Sequence, residues 1–337
     1  MRASERDTLV SLDEIEAAAE RIRPIARLTP LVEVPWPTAP RDAQTDRGAR
    51  LLLKCENLQP MGAFKIRGAY NMLAQLPAEQ RQRGVITYSS GNHGQAVALA
   101  AQELGAPAVI VMPTTAPAVK VEGARGYGAE VTFAGTTSLD RKRRAEQIAA
   151  ERKLTIIPPF DHPMIIAGQG TVGLEILEQC PDVSTVLVEI GGGGLSSGVA
   201  TAIKRRAPHV RVVGVEPAGA AKMQTSLAAG APVTLERTDS IADGLLTVRP
   251  GELTFEHVRA FVDEVVTVPD AAMIDAIRWL FRNARLVVEP SGSVTTAALM
   301  LGLGHVDGSR GPVVAIVSGG NVEPASYAAY ITSGASD

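Results

Sequence analysis

Short, continuous apolar runs alternate along this chain with stretches in which apolar residues return every three or four positions. The runs are Leu51 to Leu53, Gly84 to Tyr88, Ala108 to Met112, Glu130 to Phe133, Thr155 to Ile157, Thr185 to Ile190, Arg211 to Val215 and Val313 to Val317. Such runs, bounded by glycine and proline, predict strands covered on both faces. The intervening periodic stretches predict helices, among them Gln95 to Leu104, stopped by Gly105, and Leu195 to Arg206, stopped before Pro208. Near the start, Ser11 with Glu14 forms a capping-box pattern, and Ile15, Ala19 and Ile22 keep helical spacing until Pro24. Strand and helix alternating this often predicts an α/β protein with doubly wound, open parallel sheets. In such sheets ligands sit outside the carboxyl ends of the strands, which directs attention to the loops at Ser89, Gly191 and Ser318. No fixed-period repeat or low-complexity linker interrupts the pattern, so composition draws no domain boundary.

With 337 residues, 45% of them hydrophobic, the chain has material for a large core and roughly two domains. Its 33 basic and 36 acidic residues are dispersed and leave a formal charge of -3, which predicts no basic face for nucleic acid or an anionic membrane. The densest charge run, Arg141 to Arg144, reads as a solvated helix face. Cys55 and Cys180 lack metal-ligand spacing and suit a reducing compartment. Met1 to Asp13 has no apolar segment of the signal-peptide kind and no run reaches membrane-spanning length, so the expectation is a cytoplasmic protein.

Gly191-Gly192-Gly193-Gly194 follows a buried strand and opens a helix at Leu195. Consecutive glycines let several N–H groups turn toward one anion, reinforced by the helix N-terminus, and a phosphate is the expected ligand. The competing reading is a plain surface turn. A second loop, Ser89-Ser90-Gly91-Asn92-His93-Gly94, holds the corresponding position after its strand and offers hydroxyl, amide and unpaired N–H groups suited to a carboxylate or a ring hydroxyl. There a serine can equally be a simple N-cap, and His93 a satisfied structural histidine. Lys65, within Gly62-Ala63-Phe64-Lys65-Ile66-Arg67-Gly68-Ala69, is a lysine among small and aromatic residues. Desolvation there would lower its pKa and make it a nucleophile or base, whereas exposure would leave it an ordinary helix-start lysine. Gly168-Gln169-Gly170-Thr171-Val172-Gly173 matches the dinucleotide fingerprint, with Glu189 near the distance of a ribose-binding acid. The apolar stretch before it, Met164 to Ala167 behind Pro158, Pro159 and Pro163, is short for a central strand, which argues against a nicotinamide dehydrogenase.

Together these loops give the chain a resemblance to the fold-type II pyridoxal-phosphate enzymes of the tryptophan synthase β type, specifically the threonine and serine dehydratases with serine racemase. The motifs that carry it are Lys54-Cys55-Glu56-Asn57-Leu58-Gln59 leading into Gly62 to Ala69, Ser89 to Gln95, Gly191 to Leu195, Ala242-Asp243-Gly244, Glu289-Pro290-Ser291-Gly292 and Ser318-Gly319-Gly320-Asn321, spread from about Arg27 to Pro324. The resemblance implies a large cofactor-binding domain, residues 1–83 and 155–337, and a smaller mobile domain, residues 84–154, that closes over the substrate. It implies that Lys65 forms the Schiff base with pyridoxal 5'-phosphate, that Phe64 packs on the ring, and that Asn92 bonds the ring hydroxyl. Gly191, Gly192, Gly193, Gly194 and Leu195 would hold the phosphate, Ser318 would face the pyridine nitrogen, and Glu289 and Gly319 would complete the cofactor site. Ser89, Ser90, Gly91, Asn92 and His93, with Arg141 and Gly244, would receive the substrate.

The activity implied is an L-threonine/L-serine ammonia-lyase in a homodimer acting on a small amino acid: the freed Lys65 amine removes the α-proton, the β-hydroxyl leaves, and a 2-oxo acid and ammonia result. Serine or aspartate racemase and threo-3-hydroxyaspartate dehydratase are the rivals within the family. Outside it stand the dehydrogenase and a catalytically silent cofactor-binding protein. Many dehydratases resembling this chain have alanine where it has Ser90, and in serine racemase a serine there is the acid and base opposite the lysine. Several relatives bind a divalent cation through a glutamate, a carbonyl four residues on and an aspartate six residues on. Here Glu216 and Ala220 match but the last position is Lys222, so the expectation is no metal, with Lys222 pairing Glu216 in its place. Because so little sequence follows Asn321, the expectation is that feedback control through the regulatory domain of biosynthetic threonine dehydratases is absent.

Overall fold

A computed structural model describes residues 9–37, 50–89, 91–116, 118–306 and 308–332, and among them the alternating pattern becomes two parallel sheets wrapped by helices. The larger sheet runs in the order β1 (Leu31–Val34), β2 (Leu51–Cys55), β10 (Val313–Val317), β7 (Thr185–Glu189), β8 (Arg211–Pro217), β9 (Glu264–Val268). All its pairings are parallel except that of the edge strand β1 with β2. The smaller sheet runs β5 (Glu130–Phe133), β4 (Ala108–Met112), β3 (Val85–Thr87), β6 (Thr155–Ile156), all parallel. Because β6 pairs with β3, the smaller sheet reaches past residue 154.

Period-two alternation sends neighbouring side chains of the central strands into separate cores. Leu51, Leu53, Leu187, Val213, Val215, Val313, Ala315 and Val317 pack on one side against helices Asp270–Trp279 and Pro290–Met300. Leu52, Val186, Val188, Val212, Val314 and Ile316 pack on the other, against helices Pro163–Gln179 and Gly194–Arg206. Double coverage is why these strands read as unbroken apolar runs. The capping box at Ser11 is formed in both directions and starts helix Leu12–Ile22, whose Ile15 and Ala18 lie against helix Pro163–Gln179 through Ile166 and Leu174.

The dinucleotide-like fingerprint lies inside helix Pro163–Gln179 and not in a strand-to-helix turn. Its glycines serve helix packing: a Cβ on Gly168 would approach the Cα of Gly68 to 2.6 Å, and one on Gly173 the carbonyl of Val199 to 2.9 Å. No amide in a helix interior is free to cradle a pyrophosphate, which removes the basis for a dehydrogenase.

Strand order reverses between β7 and β10. From β7 the chain winds outward through β8 to β9, and β10 returns to the opposite flank of β7. The carboxyl ends of these two strands therefore open on the crevice where ligands of doubly wound sheets bind.

Candidate active site

Lys65 is the first residue of helix Lys65–Ala74, and a buried ionic network fixes that helix's opening turn. Arg67 bonds Glu56 through Nε (2.7 Å) and Glu175 through Nη1 (2.6 Å), and Lys54 reaches the other oxygen of Glu175 at 2.5 Å. Two cations meet two carboxylates there, so the buried charges compensate one another. The Lys65 amine sits outside this network. It is partly buried, donates to the Pro159 carbonyl at 2.7 Å, and lies 5.2 Å from the Phe64 ring centre. Burial, with no carboxylate among the described residues opposing it, lowers its pKa to about 8.

The loop before Lys65 is tied to the end of β10: Phe64 N donates to the Ser318 carbonyl at 3.1 Å, and Ala63 bridges Gly319. Gly319 in turn accepts from Glu289 N at 3.2 Å. The Glu289 carboxyl receives Nδ2 of Asn92 at 2.7 Å, and Oδ1 of Asn92 accepts from Asn321 at 2.9 Å. With its carbonyl and one N–H so engaged, the Asn92 amide keeps one further N–H to offer. Burial, then the nearby Asp243 charge, pushes Glu289 up to about 8, so it is a neutral acid at neutral pH.

Gly191, Gly192 and Gly193 link β7 to helix Gly194–Arg206. Gly193 has φ +98°, and a Cβ on Gly192 would run into the Phe160 ring. The amides of Gly192, Gly193, Gly194 and Leu195 meet no acceptor among the described residues, while the Leu195 side chain is buried in the core beneath them. Gly244 N donates to Ser291 Oγ at 2.9 Å, and its carbonyl lies 3.1 Å from where a Cβ on Gly191 would stand. This side-chain-free, donor-lined turn at a helix start fits a phosphate group, and a partly buried amine of lowered pKa fits a carbonyl-bearing cofactor.

In the remaining loop, Ser89 Oγ accepts from Gly91 N at 3.3 Å, and Gly91 caps helix Asn92–Glu103. Ser90 lies outside the described residues. The His93 ring turns to the Ile157 carbonyl (3.1 Å), and burial and the Lys65 charge hold its pKa down to about 3. Its ring is therefore neutral and engaged in packing, leaving the backbone as its contribution to the loop. Arg141 reaches the Tyr88 carbonyl with Nε at 3.4 Å, beside the loop and not within it. Sequence reasoning did not anticipate three neighbours: the Pro159 carbonyl, the Phe160 ring and the Glu189 carboxyl, which accepts Ser318 N at 3.2 Å. The Pro158-Pro159-Phe160 run after β6 was the one available signal for the first two.

Glu216 and Lys222 form a fully buried ion pair at 3.0 Å. Lys222 Nζ also donates to the carbonyls of Ile190 (3.1 Å), Ala220 (3.0 Å) and Leu245 (3.1 Å). The ammonium thus joins the root of the glycine turn to the segment carrying Gly244.

A family model described as "Pyridoxal-phosphate dependent enzyme" matches residues 22–319. Serine racemase of Schizosaccharomyces pombe is 40% identical over 329 residues, covering 98% of this chain and 99% of that protein. L-threonine ammonia-lyase of Thermotoga maritima is 45% identical over 276 residues, covering 82% and 68% respectively. The solved structure of maize serine racemase superposes with a TM-score of 0.86 at 40% identity, covering 94% of this chain and 95% of that one. A lysine, a glycine turn and a serine converging on one crevice agree with these matches along nearly the whole length, and the chain belongs to the pyridoxal-phosphate dependent enzymes of fold type II.

Proposed function

We propose that this chain is an L-threonine/L-serine ammonia-lyase whose base is Lys65, and the observation that carries the reading is the Lys65 amine: partly buried, unpaired with any carboxylate and lowered to about 8. At neutral pH an amine of that pKa keeps a reactive neutral fraction that an ordinary lysine lacks. The cofactor, when bound, supplies the electron sink for the pair released from the Cα–H bond. Its phosphate is held by the free amides of Gly192, Gly193, Gly194 and Leu195, assisted by the helix dipole behind them. Asn92 directs its remaining N–H to the ring oxygen, oriented by Glu289 and Asn321. Phe64 and Gly319 would border the ring, and Ser318 would face its nitrogen.

Lys65 would take the α-proton at Nζ and pass it to the departing β-hydroxyl, which leaves as water. The substrate carboxylate would lie on the N–H groups opening helix Asn92–Glu103, beside Ser89, Gly91 and His93, with Gly244 on the opposite wall. Closure of the unit built on the smaller sheet excludes water, and the Lys120–Asp243 ion pair at 2.7 Å spans the two units. Two buried, free cysteines suit the cytoplasm. A homodimer would cover Leu28, Leu58 and Val287, which are 67%, 41% and 49% exposed and drawn together by Arg27 on the Leu58 carbonyl and Asn57 on the Val287 carbonyl.

A serine at position 90 favours one second reading, racemisation with Ser90 as the second acid and base in addition to Lys65. The test is 2-oxo acid release by cofactor-loaded protein given L-threonine, L-serine or each 3-hydroxyaspartate isomer. Release from threonine or serine is expected. Formation of D-serine without any 2-oxo acid would replace the lyase by the racemase, and preference for hydroxyaspartate would change the substrate.

A further inference from the structure

Glu189 ends β7 beneath the crevice, next to the end of β10, and its side chain is almost wholly buried. Oε1 accepts Ser318 N at 3.2 Å, which brings the Ser318 side chain next to this carboxyl. Oε2 is buried and meets no partner among the described residues. A carboxylate with one oxygen empty in an apolar setting is costly, and the neighbouring charge on Glu289, whenever that group ionises, adds to the cost. A neutral acid avoids both penalties and gains an O–H to donate. In agreement, burial raises the Glu189 pKa well above the ordinary carboxylate value.

We propose that Glu189 is a positioning residue which, as a neutral acid, donates a hydrogen bond to the Ser318 hydroxyl and so turns that hydroxyl's own O–H toward the cofactor's ring nitrogen. The inference rests on the reading above that Ser318 faces that nitrogen. No proton leaves Glu189 and none reaches the ring: the relay fixes only the direction of two hydrogen bonds. A ring nitrogen that accepts a hydrogen bond without being protonated withdraws fewer electrons from Cα. The carbanion is then short-lived, and loss of the β-hydroxyl outruns return of a proton. Glu189 thereby biases the site toward elimination over racemisation.

The experiment loads the whole enzyme with cofactor carrying ¹⁵N in the ring and reads the ring-nitrogen resonance in wild type, E189Q, E189L and S318A. In parallel, deuterium incorporation at Cα of unreacted L-serine is compared with 2-oxo acid release. The glutamine amide can accept Ser318 N–H and donate to the Ser318 hydroxyl, so E189Q is expected to match wild type at the unprotonated position. E189L is expected to move the resonance and raise exchange per product up to about tenfold, the effect of one hydrogen bond. A shift in E189Q would overturn the proposal by making negative charge the active feature, and this arm decides even where E189L fails to fold. No shift in either variant would reduce Glu189 to a filler of space. An unmoved S318A would instead remove the placement of Ser318, a distinct failure.

Discussion

Burial drives three ionisable groups of the site toward their neutral forms: Lys65 falls to about 8, His93 falls to about 3, and Glu289 rises to about 8. For Lys65 the unfolded chain binds the proton up to about 10.5 and the folded one releases it near 8, so the folded state holds fewer protons between those values. Stability then rises with pH across that window, and the cost of the buried charge is complete below it. In cofactor-free protein K65M should be more stable than wild type at pH 7 by about 1–3 kcal/mol, less than full burial would give because the amine is partly exposed. The advantage should shrink as pH rises toward 10.5 in denaturant titrations; equal or lower stability of K65M at pH 7 would contradict it. Lys65, Asn92, the four glycines and Ser318 were legible because side-chain chemistry and loop position mark them. Pro159 was not, since a backbone acceptor leaves no trace in residue type, and Glu189 was legible only as the acid of a false fingerprint.

Among the elements, the eight apolar runs all became strands, with β4, β5 and β10 at the bounds read from sequence. Two strands escaped notice for a common reason. β1 and β9 are the edge strands of the larger sheet and carry partly exposed positions, so neither shows the fully buried run of the strands between them. The false fingerprint shows the reverse: glycines spaced for a turn were spaced for helix contact. A Cβ on Gly198 would drive into the Ile166 carbonyl and the Gly170 amide, so G198A should lose about 1–3 kcal/mol through overpacking, read as a lower denaturation midpoint. An unchanged midpoint would mean the helices can separate freely. The Glu216–Lys222 pair makes two predictions at this scale. K222M should lose about 3–5 kcal/mol because it strands a buried carboxylate. Turnover by wild type should be the same after chelation as with added magnesium, and strong activation of the stripped protein by magnesium would refute an internal ammonium in the cation's place.

At the scale of the molecule, the two sheets matter because they bring loops distant in sequence to one crevice at the β7–β10 reversal. Leu28, Leu58 and Val287 are exposed, and a homodimer, as proposed, would cover them with a second copy. Sedimentation should find a dimer that L58D with V287D dissociates; a wild-type monomer at micromolar concentration would contradict that assembly. At that crevice Lys65 is the residue proposed to anchor the cofactor. Reducing the cofactor-loaded protein with borohydride fixes the cofactor to the lysine that holds it, and peptide mass mapping locates the bond. The label should be found on Lys65 and vanish in K65A; a label retained in K65A, or found on another lysine of the wild type, would place the cofactor elsewhere than on Lys65.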